Sequence, residues 1–309
     1  MLFRKPVLSV SCLVLVLVLV LSVTVVSADR FCVGDCRPAT DFIEFQSIDL
    51  EVTPPAPLTV KGKLKLPVRF VFNKMACEPG TNLPAVVIVH GSAGIDFRGD
   101  FYARALNAAG IATLEIDMWE ARAIESAEDR PPLPLFNYPD AFGALRYLSE
   151  HANIDPDRIG IIGFSWGGVV TMASATELYA SQFGGDLRFA AHVAHYPVCF
   201  AYNSPIPGTE FTELTGSPLL IQIGEEDDYD EGAGPCMALK ESLPPEFQCK
   251  VEVVSYDGAY HAWDRLEVPI IVNDPFSHLG AGGEVAMTPF PEKAYKSRRR
   301  AVMFFLKNL

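Results

Sequence analysis

The sequence predicts an α/β fold with a mostly parallel central sheet and helices on both faces. Three observations carry the prediction. Short apolar runs of strand length, AVVIVHG, IATLEID and PLLIQIGE among them, alternate with segments of helical spacing. The runs are continuous rather than alternately polar, as in strands buried on both faces between helical crossovers. Residues able to do chemistry stand just after these runs, and such sheets bind ligands beyond the carboxyl ends of their strands.

Residues 1–28 stand apart. Arg4 and Lys5 precede an uncharged run from Val7 to Val26, and Ser27 and Ala28 are small, the layout of a cleaved signal peptide. The alternative is an uncleaved membrane anchor, since the run is long for a signal core. Cys12 lacks the small-residue lead-in of a lipid-anchor site. Removing the segment leaves 23 basic and 38 acidic residues, a net charge of −15. That balance argues against nucleic acid or an anionic membrane surface as the partner. The basic cluster KSRRR at 296–300 reads as the solvated face of a terminal helix. A secreted or periplasmic location follows from the signal. The remaining six cysteines, Cys32, Cys36, Cys77, Cys199, Cys236 and Cys249, then suit disulfides, in any of fifteen pairings. The CxxxC of Cys32 and Cys36 has no histidine or second cysteine pair nearby, so a local bridge or free thiols suits it better than a metal.

Residues 29–57, with TPPAPL, read as an N-terminal arm or leader strand, and residues 58–309 as a single catalytic domain. LTVKGKLKLPVRFVF alternates as a strand pair with one solvated face does. Beyond Pro84 the order is strand AVVIVHG, helix FYARALNAAG ending at Gly110, strand IATLEID and helix YPDAFGALRYLSEHANI. Strand DRIGIIGF, helix GGVVTMASATEL and strands RFAAHVAHYP and PLLIQIGE follow. Helix GPCMALKESL, strand CKVEVVSY and helix EKAYKSRRRAVMFFLKNL complete the chain.

The chemistry centres on GFSWGG. Gly163, Ser165 and Gly167 match GxSxG between a strand and a helix, the setting of a nucleophile elbow that raises its serine above the sheet. The alternative is a glycine-rich turn with no chemistry. A serine needs a base, and the base an orienting acid, in the chain order Ser, acid, His. Four histidines lie beyond the serine: His192, His195, His261 and His278. His261, after the strand CKVEVVSY, is the expected base and His195 the runner-up. In LLIQIGEEDDYDE the expected acid is Asp227, with Asp228 the alternative. A calcium site at Asp227, Asp228 and Asp230 lacks the glycine and distal glutamate of an EF-hand loop. The oxyanion would rest on the backbone N–H groups of Trp166 and Ser92, with Gly91 and Gly94 allowing close approach. His90 reads as part of that turn. Trp119, with Trp166, Tyr196, Tyr229 and Trp263, suits an apolar acyl or aryl group or simply the core.

VVIVHGSAG, EIDMWEAR, GFSWGG, IGEEDDYDEGAGPC and YDGAYHAWDR, in this order, resemble the dienelactone hydrolase family within the α/β-hydrolases, from about Pro57 onward. The resemblance implies the α/β-hydrolase fold, no cofactor or metal, and a small-molecule ester or lactone substrate. It also implies a carboxylate-binding role for Arg265 and a second such arginine at Arg122; the alternative for both is a surface position. Two departures stand out: serine replaces the family's usual cysteine at 165, and Gly91 replaces a glutamate beside the oxyanion hole. Both favour an ordinary serine esterase cycle. The competing readings are a prolyl-oligopeptidase-type serine peptidase and a non-catalytic α/β-hydrolase binding module.

Overall fold

The computed structural model describes residues 37–71 and 76–309. Residues 1–28, read above as a signal peptide, and Cys32 and Cys36 lie outside the described residues. β1 (Ala39–Asp49) and β2 (Ala56–Leu66) form an antiparallel hairpin, and β3 (Val68–Val71) pairs with β4 (Ala76–Pro79) in a small separate sheet. There follow β5 (Leu83–Val89), α1 (Phe97–Ala108), β6 (Ala112–Asp117), α2 (Tyr138–Ser149), β7 (Ile154–Phe164), α3 (Trp166–Ser174) and α4 (Glu177–Tyr179). Next come β8 (Ala191–His195), β9 (Leu219–Glu226), α5 (Gly234–Ser242), α6 (Pro245–Gln248) and β10 (Val251–Tyr260). The chain ends with β11 (Ile270–Asp274), α7 (Ser277–Gly280), β12 (Gly283–Met287) and α8 (Pro291–Asn308).

Eight strands form the main sheet in the order β1-β2-β6-β5-β7-β8-β9-β10. The six strands from β6 to β10 are parallel, and β1 and β2 add an antiparallel margin. Alternation within β5 explains the layering. Val86 and Ile88 face one core with Phe101, Leu106 and Phe305 of α1 and α8. Val87 and Val89 face the other, with Phe142, Leu145 and Val170 of α2 and α3. Each such side chain contributes about 1.5–3 kcal/mol by leaving water.

The segment read as an N-terminal arm or leader strand contains β1, an edge strand paired along its whole length with β2. Two features depart from the sequence expectation. The alternating run 58–72 is not one strand pair, because Pro67 lacks an N–H and divides β2 in the main sheet from β3 in the small one. The antiparallel hairpin β11–β12 follows β10, where only a loop was expected.

Cys199 and Cys236 form a disulfide that ties the segment after β8 to α5. Cys77 is also disulfide-bonded, and Cys249 is free and exposed. In the basic cluster, Arg298 stacks on Phe101 and Tyr295, and Arg300 pairs with Glu252 at 2.8 Å. No helix among the described residues is long and apolar enough to cross a membrane.

Candidate active site

The GFSWGG segment turns from β7 into α3 within one residue, so Ser165 carries the whole change of direction. Its φ of 53° and ψ of −112° lie where side chains rarely go. The backbone is held there from both sides: Ser165 N donates to the His195 carbonyl at 3.0 Å, and Val169 N donates to the Ser165 carbonyl at 2.9 Å. The flanking glycines answer a spatial demand. A Cβ at Gly163 would collide with the Gly167 carbonyl, and one at Gly167 with that of Val89.

His261, just past β10, and Asp227, just past β9, converge on this serine. His261 Nε2 lies 2.9 Å from Ser165 Oγ, and His261 Nδ1 lies 2.9 Å from Asp227 Oδ2. The other carboxylate oxygen accepts the Tyr229 N–H at 3.0 Å. A carboxylate at Nδ1 holds the proton on that nitrogen and turns the Nε2 lone pair toward the hydroxyl. The rings of Tyr229 and Tyr196 pack against the imidazole at 4.4 and 4.7 Å, which fixes its plane.

The neighbouring acids are spent elsewhere. Asp228 accepts the Ala286 N–H of β12 at 2.7 Å, and Asp230 accepts those of Cys199 and Phe200, each at 2.7 Å. Asp228 therefore holds the hairpin and not the imidazole. Burial, then the charge of Asp227, pushes the Asp230 carboxyl up to about 7. His195 and His278 have partners of their own. His195 faces Gln222 at 3.0 Å and Asp264 at 3.5 Å, and burial draws His192 and His195 down to about 4. His278 bonds Glu231 at 2.6 Å on the hairpin.

The loop after β5 carries Ser92. His90 accepts the Met118 N–H through Nε2 at 3.0 Å, so its Nδ1 carries the proton and donates to the Gly91 carbonyl at 2.8 Å. Burial lowers its pKa and favours this neutral form. Trp119 Nε1 donates to the Ser92 carbonyl at 3.0 Å. Trp166 opens α3, where a first-turn N–H has no intrahelical acceptor and is free to receive negative charge.

Two cavities meet at Ser165. One is a small pocket of about 60 Å³, lined by Leu133, Val169, Val198, Ala201 and Ile206. The other is a larger cleft of about 710 Å³ bordered by Arg98, His261 and Arg265. Arg265 is thus in the cleft, paired through Nη2 with Glu267 while Nη1 is buried without a hydrogen-bond partner. Arg122 is placed elsewhere. Its guanidinium meets the fully buried Asp140 at 2.8 Å and the carbonyls of Met118 and Phe136, so it is neither a surface arginine nor a wall of either cavity. Trp119 also borders neither cavity; it is buried behind the Ser92 loop.

Sequence reasoning missed Arg98, Arg130 and Asp274. Arg98 fills the space opened by Gly91, where a Cβ would come within 3.2 Å of its Nη2. Arg130 and Asp274 form a 2.6 Å ion pair between the segment before α2 and the end of β11. No spacing rule links these positions, since loops bring them together.

The profile of the Dienelactone hydrolase family matches residues 72–274, more than half of the chain. A Bradyrhizobium protein named as a probable 2-oxo-3-(5-oxofuran-2-ylidene)propanoate lactonase is 28% identical over 198 residues, 59% of this chain and 73% of that protein. Among solved structures, a dienelactone hydrolase of Klebsiella pneumoniae, described as putative, aligns at a TM-score of 0.54 and 17% identity, covering 87% of this chain and 99% of that one. A Pyrobaculum calidifontis esterase aligns at 0.55 and 16%, covering 87% and 85%. These structural likenesses speak for the fold, and the family match for descent and reaction class. With its eight-stranded, mostly parallel sheet, the chain belongs to the dienelactone hydrolase family and is a carboxylic ester hydrolase of the α/β-hydrolase fold.

Proposed function

We propose that this protein is an exported serine hydrolase that cleaves carboxylic esters or lactones through Ser165, His261 and Asp227 by way of an acyl-enzyme. The observation that carries the proposal is the continuous line of contacts from Ser165 Oγ to His261 to Asp227, 2.9 Å at each step. As Oγ attacks the carbonyl carbon, Nε2 takes its proton while Asp227 holds the Nδ1–H and stabilises the imidazolium. The developing oxyanion rests on the N–H groups of Ser92 and Trp166, and one such donor is worth about a hundredfold or more in rate. Collapse expels the alcohol oxygen, which leaves with the proton from Nε2. Water then repeats the sequence: Nε2 takes its proton, the hydroxide attacks the acyl carbonyl, and Ser165 regains a proton as the acid departs. With a lactone, acid and alcohol remain one molecule.

Arg265 borders the cleft, where its positive charge supports a substrate that carries a carboxylate. The lactonase name of the Bradyrhizobium relative supports the lactone side of the reading. The Cys199–Cys236 disulfide supports an oxidising compartment, and with it the reading of residues 1–28 as an export signal.

The test is a fluorophosphonate probe with peptide mapping, alongside p-nitrophenyl acetate turnover. An adduct at Ser165, lost with turnover in Ser165→Ala, is expected. A folded protein that hydrolyses the ester with Ser165 replaced would sink the assignment.

A further inference from the structure

We infer that Arg98, Tyr196 and Asp264 form a buried brace that positions the base His261 against Ser165, with Arg98 its anchor and not a substrate contact; the inference rests on the reading of Ser165 as nucleophile and His261 as base. The three residues come from different segments around the serine. Arg98 stands in the first turn of α1, Tyr196 directly after β8, and Asp264 three residues past His261. They are 4%, 0% and 0% exposed.

Tyr196 holds the base loop at two points. Its ring lies 4.7 Å from the imidazole, edge to face, and its hydroxyl donates to Asp264 Oδ1 at 2.6 Å. Burial, then the charge of Asp264, raises the Tyr196 pKa, so the hydroxyl keeps the proton it donates. Asp264 Oδ2 accepts the Tyr102 hydroxyl at 2.7 Å, which fixes the carboxylate on its other side. Between the imidazole and this anchor, Ala262 has a φ of 54°, and Tyr196 itself has a φ of 39°. Backbone of that kind persists only where its surroundings hold it.

Arg98 supplies the hold. Its Nη1 donates to the Tyr196 hydroxyl oxygen at 3.1 Å. Nε donates to both carboxylate oxygens of Asp96 at 2.9 and 3.0 Å, and Nη2 donates to Oδ2. Asp96 in turn caps α1 by accepting the Arg98 backbone N–H at 2.9 Å. Every nitrogen of the guanidinium is thus engaged within the protein, although Arg98 borders the cleft. The same group lies over the Phe164 ring, 5.4 Å from its centroid, and so braces the residue before the nucleophile. A planar fork can meet Asp96 and Tyr196 together, whereas the single nitrogen of a lysine has no such fixed geometry.

The consequence lies in the proton transfer. Asp227 sets the tautomer of His261 at Nδ1, but Nε2 must also stand within hydrogen-bond reach of Oγ. A displacement of about 1 Å in such a site costs up to about a hundredfold in rate. Tyr196 limits that displacement, and Arg98 limits the movement of Tyr196.

The experiment measures kcat and KM for p-nitrophenyl butyrate on the full mature chain and on Arg98→Lys, Tyr196→Phe and the double variant. Arg98→Lys keeps a charge beside Asp96, and Tyr196→Phe keeps a ring beside the imidazole. Each single variant is expected to lower kcat by about tenfold or more, with KM within about twofold. Both cut the same hydrogen bond, so the double variant is expected to lose no more than the more impaired single variant. Losses that multiply overturn the brace, because they show the two residues acting separately. Unchanged kcat in Tyr196→Phe also overturns it, and this variant decides the matter if Arg98→Lys fails to fold. A higher KM with unchanged kcat in Arg98→Lys would make the arginine a substrate contact instead. No ester turnover and no fluorophosphonate adduct at Ser165 in the unaltered protein would overturn the nucleophile reading, and the brace with it.

Discussion

Trp119 donates its indole N–H to the carbonyl oxygen of Ser92 at 3.0 Å, clamping the loop after β5 to the segment after β6. The ring packs between His90 and Trp166, with centroids at 5.0 and 6.0 Å, and is only 5% exposed. Gly94 leaves room for it, since a Cβ there would stand 3.1 Å from Trp119 Cδ1. The indole thus fixes the peptide that follows Ser92, while His90 Nδ1 holds the carbonyl of the peptide whose N–H is proposed to receive the oxyanion.

Trp119→Phe keeps a ring in place and removes the donor. A neutral hydrogen bond contributes about 0.5–1.5 kcal/mol net. If the bond positions the oxyanion hole, kcat on p-nitrophenyl butyrate falls by up to about tenfold while KM hardly moves. A rise in KM with unchanged kcat would show the indole to be a substrate contact.

Asp227 and Asp228 are adjacent, yet one faces the imidazole and the other the hairpin. Asp227→Asn is expected to lower kcat by roughly a thousandfold or more, because an amide can donate to Nδ1 and select the wrong tautomer. Asp228→Asn should leave kcat within a few-fold and lower the unfolding midpoint by weakening the tie to Ala286. Steady-state kinetics with thermal melts separates the two, and equal losses of kcat would show that they share the acid role.

What was legible in the sequence follows physical constraint. The parallel strands were readable because burial on both faces forces continuous apolar runs. Ser165, Asp227 and His261 were readable because the elbow needs its glycines and each partner ends a strand of the same sheet. Arg130 and Asp274 are 144 residues apart, one on an irregular segment and the other at the end of β11, and no periodicity records their meeting. The β11–β12 hairpin was hidden for a related reason: its two five-residue strands pair only with each other and depend on Asp228 and the neighbouring loop. Arg122 was misplaced because its position came from the resemblance alone. Nothing local to EIDMWEAR shows that Asp140 waits beneath it.

That pairing makes its own prediction. Asp140 is fully buried, accepts Ser47 Oγ at 2.5 Å and takes both Nη atoms of Arg122. Burial raises its pKa even against the arginine's charge. Arg122→Met leaves that carboxyl without its counter-charge and should cost about 3 kcal/mol or more of unfolding free energy at neutral pH. Arg122→Met/Asp140→Leu should recover part of the loss. Urea denaturation of the three proteins checks this. A stable Arg122→Met protein with weakened substrate binding would return the arginine to the site.

Asp230 should give the stability curve a slope of known sign. Its folded pKa of about 7 lies above the ordinary carboxylate value of about 4. Across that window the folded state holds a proton that the unfolded state has released. The group's contribution is therefore full below about pH 4 and is lost as pH rises toward 7, by up to about 4 kcal/mol. His192 and His195 act in the opposite sense. Their folded pKa values near 4 lie below the usual 6.5, so they lower stability as pH falls through that range. The unaltered protein sums these opposing slopes, and Asp230→Asn removes one of them while keeping an oxygen for the Cys199 or Phe200 N–H. The unfolding free energy of the unaltered protein minus that of the variant should decline steadily from pH 4 to pH 7 in urea titrations. A difference independent of pH would mean that Asp230 is already ionised when folded, with the two backbone N–H groups outweighing its burial.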